Sequence, residues 1–280
     1  MSIKQALTAV AIAAPLLFGA GQASAGEVFC VDSKPYDPFP ALTGNQVACS
    51  GAGAQSGSTG FQADLLNGLY SEKVLVSLGG PTGLSFSATI VADWNAFALG
   101  GITVGSTGLD SDLGFNLYAV VTASGVITGA NSFTATSATL KFYLDADQDA
   151  ALGLGSIDST TLVHTAGGTA DILLGQSTLL LNGSGTTSAS AGTDGFAVTF
   201  GEFALEPAGE AFFIAPRPFY LQAYSDGDIN DGQAEQVTPG LLQIRGDLSA
   251  EFQKVPEPGS LALVGLALAG LGFASRRRNV

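Results

Sequence analysis

The chain has 280 residues, and its 24 acidic side chains outnumber 10 basic ones, which gives a formal net charge of −14 at pH 7. Because a nucleic-acid partner requires clustered cations to meet its phosphates, this charge balance excludes nucleic-acid binding. Hydrophobic residues make up 46% of the chain, which is enough for a sizeable core.

The N-terminus has the pattern of a cleaved signal peptide. Lys4 is the only charged residue in the first 26, and a predominantly apolar stretch follows it. Ala23-Ser24-Ala25 then supplies the small residues that signal peptidase requires. We therefore expect residues 1–25 to be removed, which makes Gly26 the mature N-terminus.

The remaining body, residues 26–254, is predicted to be one exported all-β domain. It keeps 6 basic and 23 acidic residues, so its net charge is near −17. Strand-like runs recur between breaks that contain Gly, Asn or Asp, and helical periodicity is missing outside the two terminal segments. The clearest runs are residues 73–78, 84–94, 115–123, 138–144, 196–205, 212–214, 219–224 and 241–244.

The run 84–94 shows most clearly the alternation of a half-buried strand. Its even-numbered positions are apolar, whereas its odd-numbered positions are Ser, Thr or Asp, with Val91 as the exception. Several short strands at such intervals predict an antiparallel β-sandwich-like domain. The predicted fold is therefore all-β, flanked by the signal peptide and by a single C-terminal hydrophobic helix.

Two cysteines, Cys30 and Cys49, remain in the mature chain. Export to an oxidising compartment favours a disulfide between them, and two free thiols are the alternative. A zinc site is disfavoured because neither cysteine has a neighbouring histidine.

Two acidic clusters are candidate calcium sites, and calcium is the one cofactor that the sequence suggests. The candidate ligands follow two predicted strands and are Asp145, Asp147, Asp149, Asp226, Asp228 and Asn230. Calcium takes six to eight oxygen ligands, of which a D-x-D-x-D/N turn can supply three. Both clusters depart from the EF-hand pattern at its sixth and twelfth positions. The alternative is that these residues simply form strand-end turns.

Catalytic patterns are weak, and we predict that the protein is not an enzyme. His164 is the single histidine, and no Gly-x-Ser-x-Gly elbow occurs in the chain. Glu202, Glu206 and Glu210 cluster, but a solvated acidic edge explains them more simply. Paired carboxylates for glycoside hydrolysis stay open, because their spacing is spatial rather than sequential.

The last 26 residues contain three elements in order. Val255-Pro256-Glu257-Pro258 comes first, an uncharged segment follows, and Arg276-Arg277-Arg278 comes near the end. As a helix, residues 259–275 would extend roughly 26 Å, just short of a ~30 Å hydrocarbon layer. We therefore expect transient membrane engagement, with the arginines on the cytoplasmic side.

This tail resembles a PEP-CTERM sorting signal. The resemblance implies a protein of a Gram-negative bacterium that is exported through the inner membrane and processed at both ends. Signal peptidase would cut after Ala25, and an exosortase-type enzyme would cut near the Pro-Glu-Pro element. The mature protein would then reach the cell surface or the extracellular matrix. An ordinary C-terminal membrane anchor is the alternative.

The body also resembles the flocculation-associated PEP-CTERM subfamily. The matching segments are residues 63–68, the strand around Trp94, and residues 116–119, 142–145, 212–213 and 216–220. This resemblance implies a protein that supports cell aggregation (flocculation, biofilm), with exopolysaccharide or other copies of itself as partners. The alternatives are a secreted carbohydrate-binding module or polysaccharide-active enzyme, and a purely structural self-assembling coat.

Overall fold

A computed structural model describes residues 26–34, 45–49, 60–79, 83–107, 113–129, 132–148, 171–186, 195–228 and 239–254. The predicted signal peptide and C-terminal helix lie outside these residues. Among the described residues, no helix is long and apolar enough to span a membrane.

The described residues form fourteen strands and one short helix, so the predicted all-β fold is confirmed. The strands are β1 (Phe29–Val31), β2 (Phe61–Ala63), β3 (Leu65–Leu78), β4 (Leu84–Leu99), β5 (Ile102–Ser106), β6 (Asn116–Ile127), β7 (Ser132–Asp145), β8 (Ile172–Ser177), β9 (Leu179–Thr186), β10 (Gly195–Gly201), β11 (Ala204–Leu205), β12 (Phe213–Ala215), β13 (Gln222–Asp228) and β14 (Gly240–Gln253). The helix α1 covers Pro207–Phe212.

Eight of these strands close into an antiparallel barrel, in the order β7-β6-β4-β3-β14-β13-β10-β9. Strand β9 pairs with β10 on one side and with β7 on the other, where Phe133 lies opposite Gly185. A sandwich would keep two separate sheets, whereas this second pairing joins the two edges of one sheet. The predicted antiparallel pairing of the strands is therefore confirmed, but the strands form one closed barrel rather than a sandwich of two sheets.

Most barrel strands are longer than the sequence runs predicted. Strand β3 has 14 residues and β4 has 16. The alternation predicted for β4 is confirmed, because Phe86, Ala88 and Ala92 are buried inside the barrel. Long strands result because outward positions accept small and polar residues without ending the ladder.

One end of the barrel is closed by phenylalanine rings, and we call this group the plug. A three-stranded sheet in the order β12-β1-β2 covers this end together with α1. The ring of Phe29 lies 5.3 Å from that of Phe252 in β14 and 5.8 Å from that of Phe213. The plug consists of Phe29, Phe61, Phe97, Phe212, Phe213 and Phe252.

The opposite end carries the strand connections, and we call it the hairpin end. Strands β3, β6, β9 and β13 each run away from the plug, and the next barrel strand returns beside them. Near the hairpin between β3 and β4, the Gly79 amide donates to the Gly83 carbonyl at 3.0 Å. Gly83 has φ +98°, which disfavours any residue with a Cβ.

Candidate functional site

The two ends of the described domain meet beside the plug. The Glu27 amide donates to the Phe252 carbonyl at 3.3 Å, and Lys254 Nζ lies 3.0 Å from Glu27 Oε2. Lys254 is well exposed, so this ion pair contributes little to stability. Its importance is positional, because both predicted processing sites adjoin the same end of the barrel.

Among the predicted processing residues, the structure describes only Gly26. The others lie outside the described residues and are Ala23, Ala25, Val255, Pro256, Glu257, Pro258, Arg276, Arg277 and Arg278. The structure therefore places the two attachment points, and the cleavage predictions stay predictions.

Cys30 and Cys49 are joined by a disulfide, with their Cα atoms 5.8 Å apart. Cys30 lies in β1, and the Cys49 amide donates to the Gly60 carbonyl at 3.0 Å. The disulfide thus ties residues 45–49 to the small sheet that covers the plug. Its role in this position is structural.

The first residue of the first acidic cluster, Asp145, lies at the end of β7 among buried polar side chains. Asp145 is fully buried, and Asn116 Nδ2 donates to its Oδ2 at 3.4 Å. Nearby, the Tyr118 hydroxyl donates to Asp171 Oδ2 at 2.5 Å. Burial, together with that hydrogen bond, raises the pKa of Tyr118 above its usual value. Asp147 is exposed, so it does not share the buried environment of Asp145.

The second acidic cluster lies in a strand rather than in the predicted turn. Asp226 and Asp228 belong to β13, which pairs with both β10 and β14. Asp226 Oδ1 accepts a hydrogen bond from Ser249 Oγ at 2.9 Å. The predicted turn at Asp226 was wrong because strand pairing on both sides continues through Gly227.

The calcium hypothesis stays a prediction. Within the part of the chain that the structure describes, no group of three or more His, Cys, Asp or Glu residues is placed to hold a metal ion. Two of the predicted ligands, Asp149 and Asn230, lie outside that part.

The glutamate cluster surrounds the short helix α1. Glu206 precedes the helix, and its Oε1 accepts a hydrogen bond from Gln176 Nε2 at 2.8 Å. Glu210 lies in the first turn of the helix and is exposed. Glu202 lies in the exposed bend between β10 and β11. His164, the other catalytic candidate, lies outside the described residues.

Sequence reasoning missed a hydroxyl-bearing surface on three adjacent strands, which we call the hydroxyl face. It lies on the outer side of β4, β6 and β7 and consists of Ser87, Thr89, Thr122, Ser124, Ser137 and Thr139. The register aligns these residues in two rows, each crossing all three strands. Thr122 Oγ1 lies 2.7 Å from Thr139 Oγ1, and Ser124 Oγ lies 2.7 Å from Ser137 Oγ. Every member is exposed or half-buried.

Sequence reasoning also missed a carboxyl group that faces the barrel interior. Alternation in β3 places Tyr70, Glu72 and Val74 inside, where they line a cavity of about 140 Å³. Burial raises the pKa of Glu72 to about 7. The predicted run began at Lys73, one residue too late to include it. An acidic residue at an inward position of an alternating strand was the available signal.

A family model for the PEP-CTERM protein-sorting motif matches residues 254–278. The chain carries a PEP-CTERM sorting motif. This motif implies an exported protein that an exosortase-type enzyme processes and that reaches the cell surface or the extracellular space. No curated protein and no solved structure matches the chain significantly.

The PEP-CTERM motif begins where the barrel ends. Lys254 is both the first matched residue and the residue that pairs with Glu27 beside the plug. The sorting tail is therefore attached at the plug end, opposite the hairpin end of the barrel.

Proposed function

We propose that this PEP-CTERM protein is a surface or extracellular-matrix component that supports cell aggregation, in flocculation and biofilm, together with exopolysaccharide. The sorting motif accounts for its delivery. The observation that carries the adhesive role is the hydroxyl face on β4, β6 and β7.

The hydroxyl face has the chemistry to contact a polymer of hydroxyl groups. Each Ser or Thr hydroxyl offers one donor and two acceptor sites, so it can pair with sugar hydroxyls in either direction. Rows on neighbouring strands lie about 4.8 Å apart, and successive outward residues of one strand lie roughly 7 Å apart. Each contact is weak, but many contacts along one chain give substantial avidity.

Charge favours a neutral polysaccharide as the partner. The mature domain has a net charge near −17, which repels strongly anionic polymers. The six residues of the hydroxyl face are uncharged. A neutral chain can therefore contact them without removing any charge of this face from water.

We also propose that the role is binding rather than catalysis. The Glu206 carboxylate, at the centre of the acidic cluster, accepts a hydrogen bond from Gln176, and Glu206 directly precedes α1. Glu202 and Glu210 are exposed beside it. This environment fits a solvated edge better than a pair of carboxyl groups enclosing a glycosidic bond.

The first test uses a variant that removes the hydroxyls and keeps the shape of the face. It combines Ser87→Ala, Thr89→Val, Thr122→Val, Ser124→Ala, Ser137→Ala and Thr139→Val. The matched control, Thr199→Val with Ser249→Ala, removes hydroxyls from the outer sides of β10 and β14. We expect the first variant to lose retention on exopolysaccharide isolated from the same cells, at an unchanged melting temperature, while the control is retained.

The second test replaces the gene in its host. Deletion should reduce cell clumping, the control variant should restore it, and the hydroxyl-face variant should not. Unchanged clumping after deletion would remove the aggregation role. Release of soluble sugars from the polysaccharide, abolished by Glu206→Gln, would establish an enzyme instead. Concentration-dependent assembly without any sugar would establish a self-assembling coat.

A further inference from the structure

The barrel holds a cavity where inward alanines alternate with larger apolar side chains on three adjacent strands. An eight-stranded barrel is just wide enough for ordinary side chains to fill it. Here the inward positions of β4, β6 and β7 include a wall of alanines beside a cavity of about 140 Å³, which we call the chamber. The alanines of this wall are Ala92, Ala119, Ala123, Ala135 and Ala138.

Aromatic rings held by edge-to-face contacts shape the rest of the chamber. The rings of Phe86 and Phe133 lie 5.7 Å apart, and those of Tyr70 and Phe196 lie 5.2 Å apart. Inward glycines leave room for these rings, since a Cβ on Gly125 would lie 2.6 Å from Phe86 Cε1. The chamber is therefore built by specific packing and has a defined apolar shape.

Glu72 is the charged residue on the inner side of β3, and Glu251 of β14 also borders the chamber. The neighbours of Glu72 in register are Ile90 of β4 and Ile244 of β14, and Val74 follows it on the inner side of β3. Within the described residues, Glu72 has no hydrogen-bond or ion-pair partner. Glu72 is half-buried, and even partial burial of a carboxyl group without a partner is costly. That cost falls when a ligand supplies a donor.

We propose that the chamber binds one small apolar primary amine, whose ammonium group pairs with Glu72 while its hydrocarbon body lies against the alanine wall. The volume fits one aromatic ring or a chain of about six to eight carbons, since a cavity of about 150 Å³ in another protein accepts benzene.

The head group decides between ligand classes. An ammonium donates charge-assisted hydrogen bonds to the carboxylate, which are about twice as strong as neutral ones. A hydrocarbon leaves Glu72 unpaired, and a carboxylic acid places a second negative charge beside it. The acidic mature domain also attracts cations before they enter. The expected order of affinity is therefore amine, alcohol, hydrocarbon and carboxylate.

The fluorescence of Trp94 can report ligand binding in the chamber. Trp94 is the only tryptophan in the chain, and it lines the chamber. The processed protein, purified after export, is titrated at pH 8 with benzylamine, benzyl alcohol, toluene and benzoate. Tryptophan fluorescence and the melting temperature are both recorded. We expect benzylamine to bind at least tenfold more tightly than toluene, and benzoate not to bind.

Three variants separate the chamber from the acidic surface. Glu72→Gln should lower the affinity for benzylamine at least tenfold and change that for toluene less than twofold. Ala123→Phe should abolish binding of every probe, because its ring fills the chamber. The matched control, Leu75→Phe, places the same ring on the exposed side of β3 and should bind as the natural protein does. If Ala123→Phe does not fold, Ala123→Leu is measured instead.

Several results would overturn this inference. One is the absence of a fluorescence or melting response to any probe in the natural protein. Another is undiminished benzylamine binding by Glu72→Gln, which would place the amine on the acidic surface. Equal binding by the Ala123 and Leu75 variants would show that the chamber is not the site. The inference does not depend on polysaccharide contact, which involves the outer side of the barrel.

Discussion

The plug and the chamber lie inside one barrel, yet their side chains differ in size and purpose. In the plug, fully buried rings such as Phe29 and Phe213 contact one another at 5.8 Å. In the chamber, Ala123 and Glu72 instead line an open cavity of about 140 Å³. The strand ladder fixes the same wall for both regions. Side-chain size at inward positions therefore decides whether a stretch of the barrel is filled or left hollow.

The largest expected effect is the loss of a plug ring. Phe213 is fully buried and packs against Phe29, Phe219 and Phe252. We expect Phe213→Ala to lower the free energy of unfolding by about 3–5 kcal/mol in urea denaturation. The control Leu221→Ala removes an exposed side chain near the plug and should cost less than about 0.5 kcal/mol. Equal effects for both would mean that the plug is loosely packed.

The disulfide should have the next largest effect. Replacing both Cys30 and Cys49 by alanine releases a loop with a sequence separation of 19 residues. We expect unfolding to become easier by about 3 kcal/mol on the chain-entropy model. Adding a reductant to the natural protein should reproduce the change. Benzylamine binding should persist at temperatures where the variant is folded, since the disulfide lies beside the plug; its loss there would show that the two regions are coupled.

Glu72 should make the free energy of unfolding depend on pH. Burial raises the pKa of Glu72 from 4.5 to about 7 in the folded protein. Between these values the folded protein keeps a proton that the unfolded chain has released. Stability therefore falls as the pH rises from about 4.5 to about 7, by up to about 3 kcal/mol, and stays lower above that range.

The corresponding measurement compares unfolding free energies from pH 4.5 to pH 8. Glu72→Gln should remove this part of the slope and be more stable than the natural protein at pH 8 by about 1–3 kcal/mol. Glu210→Gln, on the exposed first turn of α1, should keep the natural slope. A slope unchanged by Glu72→Gln would mean that Glu72 is hydrated rather than buried.

The smallest effect comes from adding carbon atoms inside the barrel. Ala123→Leu adds three carbons to the open chamber and should leave the unfolding free energy unchanged or raise it by up to about 1 kcal/mol. The same substitution at Ala63, which is fully buried in β2, overpacks the plug region and should cost about 1–3 kcal/mol. Similar costs at both positions would contradict the difference in filling.

The sequence was sufficient to predict the all-β fold class, but not to predict that the sheet closes into a barrel. Alternation in residues 84–94 predicted a strand with the correct inner face, and β4 confirms it. Closure depends on the pairing of Phe133 with Gly185, which are far apart in the chain. Gly185 lies outside all of the predicted strand runs, but its missing side chain makes room for the Phe133 ring, because a Cβ there would lie 2.2 Å from Phe133 Cζ.

The candidate sites also differ in whether the sequence alone could predict them. The tail motif is local, so its residues were recognisable from their order alone, and the family model confirms it. The hydroxyl face requires Ser87, Ser124 and Ser137 to align across three strands, which only the register provides. Glu72 requires its inward direction and the apolar side chains of other strands that line the same cavity. Sites assembled across strands therefore became visible only with the pairing of the sheet.

The most direct test of the hollow interior is a crystal structure of the processed protein under xenon pressure. Xenon binds in apolar cavities of this size, whereas a well-packed core has no room for it. We expect a xenon atom in the chamber beside Ala123 and none among the rings of the plug. A chamber without xenon, or xenon bound between Phe29 and Phe213, would contradict this expectation.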